Sequence, residues 1–170
     1  TNRYEFIDPR ATAEIASAIK LVINTEGPVH EDRVLRIVRE HYGLGRAGVQ
    51  IRDSFDRALR TVLRGDYSKK DGFVSVQGQN LSTVRSPNPR VASSTRSIDE
   101  IPSGEIDLAV LNLLLDAMNA TADELIVRIS RLFGWARTGT EISAAVERSI
   151  NRLIRAGRLS KSGSQLSFKQ

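Results

Sequence analysis

The feature that most constrains this chain is an internal repeat. Segments 43–51 and 134–142 share the pattern Gly-x-x-Arg-x-Gly-x-x-Ile and lie 91 residues apart. The same offset aligns charged and apolar residues without a gap from about residue 14 to residue 62 of the first copy. Self-similarity of this length indicates two copies of one structural module. It therefore predicts two small domains in a chain of 170 residues.

Both copies show the same order of predicted elements. In the first copy, apolar residues at helical spacing predict three helices, over 11–24, 31–42 and 48–63. A short extended stretch precedes the second helix, and residues 67–76 form two short strands with a turn near Asp71-Gly72.

In the second copy, the first predicted helix spans 103–118. Capping-box patterns that begin at Thr121 and Thr138 open the next two helices. A hairpin follows over 160–168, and we expect it to have one residue fewer before its turn than the first hairpin.

The order of helix, short strand, helix, helix and hairpin is that of a winged helix-turn-helix. We therefore expect a mainly α fold with small β wings, made of two tandem winged helix-turn-helix modules at 1–77 and 103–170. Residues 78–102 hold three of the five prolines and many serines, which predicts an extended linker without a core of its own, and Ile98 and Ile101 are expected to anchor its end against the second module.

Composition excludes several classes of function. The chain has no cysteine, so thiolate metal sites and disulfides are absent, and no apolar run reaches the roughly 20 residues of a membrane helix. His30 and His41, the only histidines, fit no metal spacing. No catalytic arrangement is evident, so we expect a cytoplasmic protein that is not an enzyme and has no cofactor or metal.

Positive charge collects in the same half of each module. Residues 46–71 carry seven basic and four acidic residues, and residues 137–161 carry six basic and two acidic residues. The preceding parts of the two copies, 12–45 and 103–136, carry net charges of −1 and −3. This distribution predicts a basic face on the third helix and wing of each module, although a solvated helix surface could produce part of it.

In a winged helix the third helix can enter the DNA major groove while the wing contacts the backbone. We therefore predict nucleic-acid contacts from these residues: Arg46, Gln50, Arg57, Arg60, Arg64, Lys69, Lys70, Arg137, Thr140, Arg148, Arg152, Arg155 and Lys161. The alternative is a solvated face in which these arginines pair with acids such as Asp53, Asp56, Glu141 and Glu147.

The second glycine of the repeated motif, Gly48 or Gly139, lies where a third helix begins. We expect it to allow a tight turn or close helix packing rather than to cradle a phosphate, because the Lys-Ser/Thr of a P-loop is missing. Trp135, the only tryptophan, is expected in a core or between modules, and base stacking is the lesser alternative.

Three motifs carry a family resemblance: the repeated Arg-x-Gly-x-x-Ile, Glu-Gly-Pro-Val-His at 26–30, and the segment 98–106 ahead of the second repeat. Over roughly 14–170 the chain resembles a domain of unknown function that ends large bacterial superfamily 1-type helicase and restriction-endonuclease-like proteins. The resemblance implies an accessory module, and any ATPase or nuclease activity would lie elsewhere in such a parent.

Two functions follow as expectations. The first is non-catalytic binding of DNA, duplex rather than single-stranded, in a DNA-processing or defence protein. The alternative is a tandem winged-helix module for protein–protein interaction or homodimerisation, since function depends on sites and not on folds.

Overall fold

The computed structural model describes residues 3–169, and the chain divides into two compact units, one up to Asn80 and one from Leu81 onward. Each unit is mainly helical and contains one three-stranded antiparallel sheet. In the described part of the chain no helix is long and apolar enough to cross a membrane.

The first unit has four α-helices and three strands. They are α1 Arg3–Ile7, α2 Thr12–Glu26, β1 Val29–His30, α3 Glu31–His41, α4 Val49–Val62, β2 Tyr67–Lys70 and β3 Phe73–Val76. The second unit repeats this order from α2 onward, with α5 Ser103–Ala117, β4 Asn119–Thr121, α6 Ala122–Leu132, α7 Thr140–Arg155, β5 Leu159–Ser162 and β6 Gln165–Phe168.

In each sheet the last strand lies in the middle. The strand orders are β1-β3-β2 and β4-β6-β5, and all neighbouring strands are antiparallel. The predicted turn is confirmed at Asp71-Gly72, where both residues adopt positive φ, 51° and 81°. The expectation of a shorter second hairpin is wrong, because both hairpins have four-residue strands joined by two-residue turns.

The three helices of each repeat bury one apolar face. On α4 the side chains of Ile51, Phe55, Leu59 and Val62 are between 0% and 4% exposed, and α7 buries Val146, Ile150 and Leu153 in the same way. Burial of an apolar side chain of this size stabilises the fold by roughly 1.5–3 kcal/mol. The buried face fixes which residues of α4 and α7 remain outside.

The first unit begins with a helix that its sequence did not predict. Phe6 on α1 is fully buried and contacts the ring of Tyr42 edge-on, with 5.1 Å between the ring centroids. A short 3₁₀ turn, Pro9–Ala11, precedes α2, and the Asp8 side chain opens it by accepting a hydrogen bond from the backbone N–H of Arg10.

The segment expected to be an extended linker differs from that expectation. Residues from Leu81 onward belong to the second unit, and we call 81–102 the strap. The expected anchoring by Ile98 and Ile101 is confirmed, since Ile101 is buried and Ile98 packs against the same core, as does Val84. The strap has no helical periodicity in its sequence. It contacts the second unit through a few isolated apolar residues and through two arginines, Arg85 and Arg96.

Candidate nucleic-acid interface

The outer face of α4 carries the predicted basic residues of the first unit. Because α4 buries Ile51, Phe55 and Leu59, a rotation of 100° per residue places Arg57 and Arg60 on the other side, and Arg64 follows in the turn directly after α4. Arg60 and Arg64 are exposed and Arg57 is half-buried. Within residues 3–169 none of the three arginines forms an ion pair or side-chain hydrogen bond with an acid.

Acidic residues share this face. Asp53 and Asp56 lie on α4 just before the arginines, and Asp53 precedes Arg57 by one helical turn. Three arginines against two aspartates leave the α4 face with a charge of +1. The alternative, in which these acids pair with the arginines, is not found in the described residues, so the guanidinium groups remain open to an external anion.

The start of α4 has an uncovered N-terminus. Gly48 is the N-cap, its φ is −72°, and no side chain caps the helix. A Cβ at Gly139, the N-cap of α7, would meet no atom within 4 Å, and its φ is −96°. The predicted role of Gly139 in a tight turn or close packing is therefore wrong. Arg46 and Gln50 flank the start of α4 and are exposed.

The two lysines of the first hairpin have different surroundings. Lys69 forms an ion pair with Glu31, the first residue of α3. Nearby, Arg52 donates to Asp32 at 2.7 Å, and this hydrogen bond lowers the pKa of the Asp32 carboxyl. Lys70 is exposed and, in the part of the chain that the structure describes, has no acidic partner.

The second unit presents a less basic face on α7. Arg148 and Arg155 are exposed without an acidic partner among residues 3–169, and Glu141 and Glu147 lie on the same side of the helix. Asn151 stands where α4 has Arg60. Two arginines and two glutamates give this face a net charge of zero.

Arg152 lies elsewhere than expected. We expected it to face outward with Arg148 and Arg155, but its guanidinium donates to Asp107 of α5 at 2.7 Å. Ser149 donates to the same carboxylate. In the first copy these positions are Ala16, Ala58 and Thr61, so this polar link between helices is specific to the second unit.

The remaining predicted residues of the second unit are exposed. Arg137 and Thr140 lie at the start of α7, and Lys161 lies on β5. The expected capping box from Thr138 is absent, because α7 begins after Gly139 with no side-chain cap. The capping box at Thr121 is confirmed, with Glu124 as its reciprocal partner.

The sequence interpretation missed one buried charged cluster. Glu105 of α5 is fully buried, and Arg96 of the strap donates to both of its carboxylate oxygens, at 2.7 and 2.9 Å. Arg85 donates to it from its side chain at 2.6 Å and from its backbone N–H at 2.8 Å. Burial alone raises the pKa of the Glu105 carboxyl, but the hydrogen bonds from Arg96 and Arg85 outweigh it and lower that pKa.

The strap also contacts the beginning of the repeated motif. The indole N–H of Trp135 donates to the backbone carbonyl of Arg96 at 2.7 Å, and the Trp135 ring stacks on Phe133. The repetition of Glu14 as Glu105 was visible in the sequence, but nothing in the spacing of Arg85 and Arg96 showed that they meet it.

His30 has a local structural role. Its Nδ1 accepts a hydrogen bond from the backbone N–H of Asp32 at 3.3 Å and so caps α3. Its ring meets Phe73 edge-on at 5.2 Å. No group of three His, Asp or Glu side chains within residues 3–169 could hold a metal ion.

Comparison with known proteins gives one match. The chain is similar over residues 4–53 to a family described as "Protein of unknown function (DUF3320)". No curated protein and no solved structure matches the chain. The match runs from α1 to the first turns of α4, so it covers less than the span of 14–170 over which the sequence motifs suggested a resemblance.

Proposed function

We propose that this chain is a pair of winged helix-turn-helix units that bind duplex DNA without catalysing a reaction. The observation that carries the proposal is the set of Arg57 and Arg60 on the outer face of α4 and Arg64 in the turn directly after it. Their guanidinium groups have no acidic partner among the described residues. Guanidinium groups bind phosphate oxygens bidentately. The element order of each unit and the hairpin beside the helix support the same function.

The two units contribute unequally in this proposal. The α4 face is positive, whereas the α7 face is neutral and has Arg152 tied to Asp107. We therefore assign the main DNA contact to the first unit, with Arg46, Gln50 and Lys70 at its borders. Arg137, Thr140, Arg148, Arg155 and Lys161 supply a weaker contact. Lys69 contributes through its charge while paired with Glu31.

The resemblance suggests a wider role. We propose that the chain positions DNA for the helicase or nuclease parts of a bacterial, cytoplasmic parent protein. The uncovered start of α4 fits a phosphate, since helix N-termini attract anions. Binding of this kind is dominated by phosphate contacts, with a non-specific Kd on the order of 10⁻⁴–10⁻⁶ M at physiological salt.

The test is fluorescence anisotropy of labelled duplex and single-stranded DNA between about 25 and 200 mM salt. We expect binding to duplex whose log–log salt slope is roughly 3–5, and a loss of at least tenfold in the Arg57→Glu/Arg60→Glu variant. Arg148→Glu/Arg155→Glu should lose less. The absence of binding at the lowest salt would refute the proposal.

A matched control separates a located site from net charge. Lys20→Glu/Arg131→Glu changes the charge by the same amount through exposed residues of α2 and α6. It should retain more of the affinity than the α4 variant. Equal losses of affinity in both variants would mean that DNA binding depends only on the overall charge of the protein, which is +5.

A further inference from the structure

The second unit contains an open hollow of about 740 Å³ between the strap and the beginning of α7. The strap contributes Thr95, Ser97 and Ile98 to its lining, and the segment that joins α6 to α7 contributes Trp135 and Arg137. Sites for small molecules and cofactors have volumes of this order. The hollow is therefore large enough for a nucleobase with its sugar and phosphate.

Trp135 is held in one orientation at the hollow. Its backbone N–H donates to the carbonyl of Ser130 at 2.9 Å, and its indole N–H donates to the carbonyl of Arg96 at 2.7 Å. The ring of Phe133 stacks on the indole with 5.1 Å between the centroids. Because Phe133 lies against one face, a ligand in the hollow meets the other face or an edge of the indole. A fixed aromatic ring of this kind is a platform for another planar ring.

The first copy has no such platform. Leu44 occupies the position of Trp135 and is buried, whereas Trp135 is half-buried. The repeated fold therefore does not require an indole at this position. The hydrogen bond to the strap uses only the indole N–H, so it does not account for the ring surface that lines the hollow.

Two side chains of opposite charge also line the hollow. Among the described residues these are Arg137 and Glu141, and both are exposed. Their charges cancel, which disfavours a polyphosphate with several negative charges. A guanidinium group binds one phosphate bidentately, and a carboxylate only accepts hydrogen bonds. Guanine is the base whose Watson–Crick edge presents two adjacent N–H donors to such an acceptor, and these donors are free only when guanine is unpaired.

We propose that this hollow binds an unpaired guanine of single-stranded DNA. Trp135 stacks on the base, Glu141 accepts hydrogen bonds from its N1–H and amino group, and Arg137 donates to the adjoining phosphate. A base inside a duplex presents neither its face nor its Watson–Crick edge, so the site is selective for single strands. The inference extends the proposed DNA binding to a second site, which is separate from the α4 face.

The test uses the intrinsic fluorescence of Trp135, which is the only tryptophan of the chain. The chain is titrated with an oligothymidine strand of about twelve residues, and with the same strand carrying one central guanine. We expect both strands to quench the fluorescence saturably. The guanine strand should bind about fivefold more tightly or better, as one bidentate contact to a base allows. Annealing each strand to its complement should remove the difference.

Two variants test the assigned contacts. Glu141→Gln should abolish the preference for guanine, although the loss of a negative charge by itself strengthens binding of both strands. Arg137→Gln should weaken both strands alike and reduce the log–log salt slope by about 1. The matched control is Arg128→Gln, which removes an exposed arginine of α6 that does not line the hollow. It should change both affinities less than Arg137→Gln does.

The proposal is overturned by no saturable change in Trp135 fluorescence up to about 1 mM oligonucleotide, by equal affinity for the two strands, or by a guanine preference that Glu141→Gln retains. Quenching by guanosine 5′-monophosphate at the affinity of the guanine strand would identify a free nucleotide as the ligand and also overturn it.

The duplex site is tested separately. Arg57→Glu/Arg60→Glu should keep the preference for guanine while it loses duplex affinity. If the unchanged chain prefers the guanine strand but binds no duplex, the α4 site alone is refuted. If it binds duplex through α4 without a preference for guanine, the hollow alone is refuted.

Discussion

At the scale of single residues, the first glycine of the repeated motif has a defined role. Gly43 and Gly134 follow α3 and α6 with φ of 67° and 76°. In each case the next residue donates its N–H to a carbonyl five positions back, at 2.8 and 2.9 Å, which is the Schellman pattern. A residue with a Cβ is strained in this conformation, which is why the motif begins with glycine.

The two glycines should nevertheless respond differently to substitution. Gly43→Ala should lower the free energy of unfolding by about 1 kcal/mol, from backbone strain alone. Gly134→Ala should cost roughly 1–3 kcal/mol more, because its Cβ would lie 2.7 Å from Cγ of Pro87 in the strap. Urea denaturation of both variants measures the difference. Gly45→Ala, whose Cβ meets no atom within 4 Å, is the control and should have the smallest effect.

At the scale of elements, Glu105 connects the strap to α5. The buried carboxylate holds two arginines that come from a segment with few apolar residues. Removal of one partner of a buried ion pair leaves the other charged and unsolvated, which is strongly destabilising. The strap is held both by these ion pairs and by the packing of Val84, Ile98 and Ile101.

Glu105→Gln should destabilise the second unit by about 3 kcal/mol at neutral pH, because Arg96 loses its counter-charge while it remains buried. Urea denaturation measures the loss, and proteolysis should become faster within the strap. Glu14→Gln is the matched control at the same position of the first copy. Glu14 is exposed and accepts one hydrogen bond from Tyr42, so its loss should cost less than about 1 kcal/mol.

The contribution of Glu105 also has a defined pH dependence. Its folded-state pKa lies below the ordinary value of 4.5, so the stabilisation is fully present above pH 4.5 and is lost as the pH falls through the folded-state pKa. The gap in stability between the unchanged chain and Glu105→Gln should therefore shrink below pH 4.5. A gap that stays constant on acidification would contradict the assignment.

At the scale of the whole molecule, the boundary of the second unit differs between sequence and structure. The repeat and the composition suggested a domain that starts at residue 103, whereas the structure assigns Leu81 onward to the second unit. The difference matters because three residues before position 103 belong to the second unit. Arg85 and Arg96 bind Glu105, and Ile101 lies in the core of that unit.

A chain of residues 81–170 should therefore fold cooperatively, and a chain of residues 103–170 should not. The shorter chain leaves Glu105 without either arginine and exposes the core that the strap covers, in a domain whose core supplies only about 3–5 kcal/mol. Circular dichroism during thermal unfolding measures the outcome. Equal melting temperatures for the two chains would mean that the strap is dispensable.

Much of this protein follows from its sequence. Apolar spacing located the three repeated helices of the first copy and the first helix of the second copy within about two residues, because each helix has one buried and one exposed face. The turn at Asp71-Gly72 could likewise be predicted from local sequence, since positive φ at two adjacent residues requires such a pair. The position of Arg57 and Arg60 on the outer face of α4 also follows from helical spacing.

Tertiary structure decided the interactions between residues distant in the sequence. The pairing of Arg85 and Arg96 with Glu105, the diversion of Arg152 to Asp107, and the burial of Phe6 each depend on a meeting of segments whose spacing has no period. Local patterns report which face of a helix is apolar, because they reflect the geometry of one element. The pairing of each arginine with an acid depends on how the elements pack. This pairing in turn determines which arginines remain open to a partner.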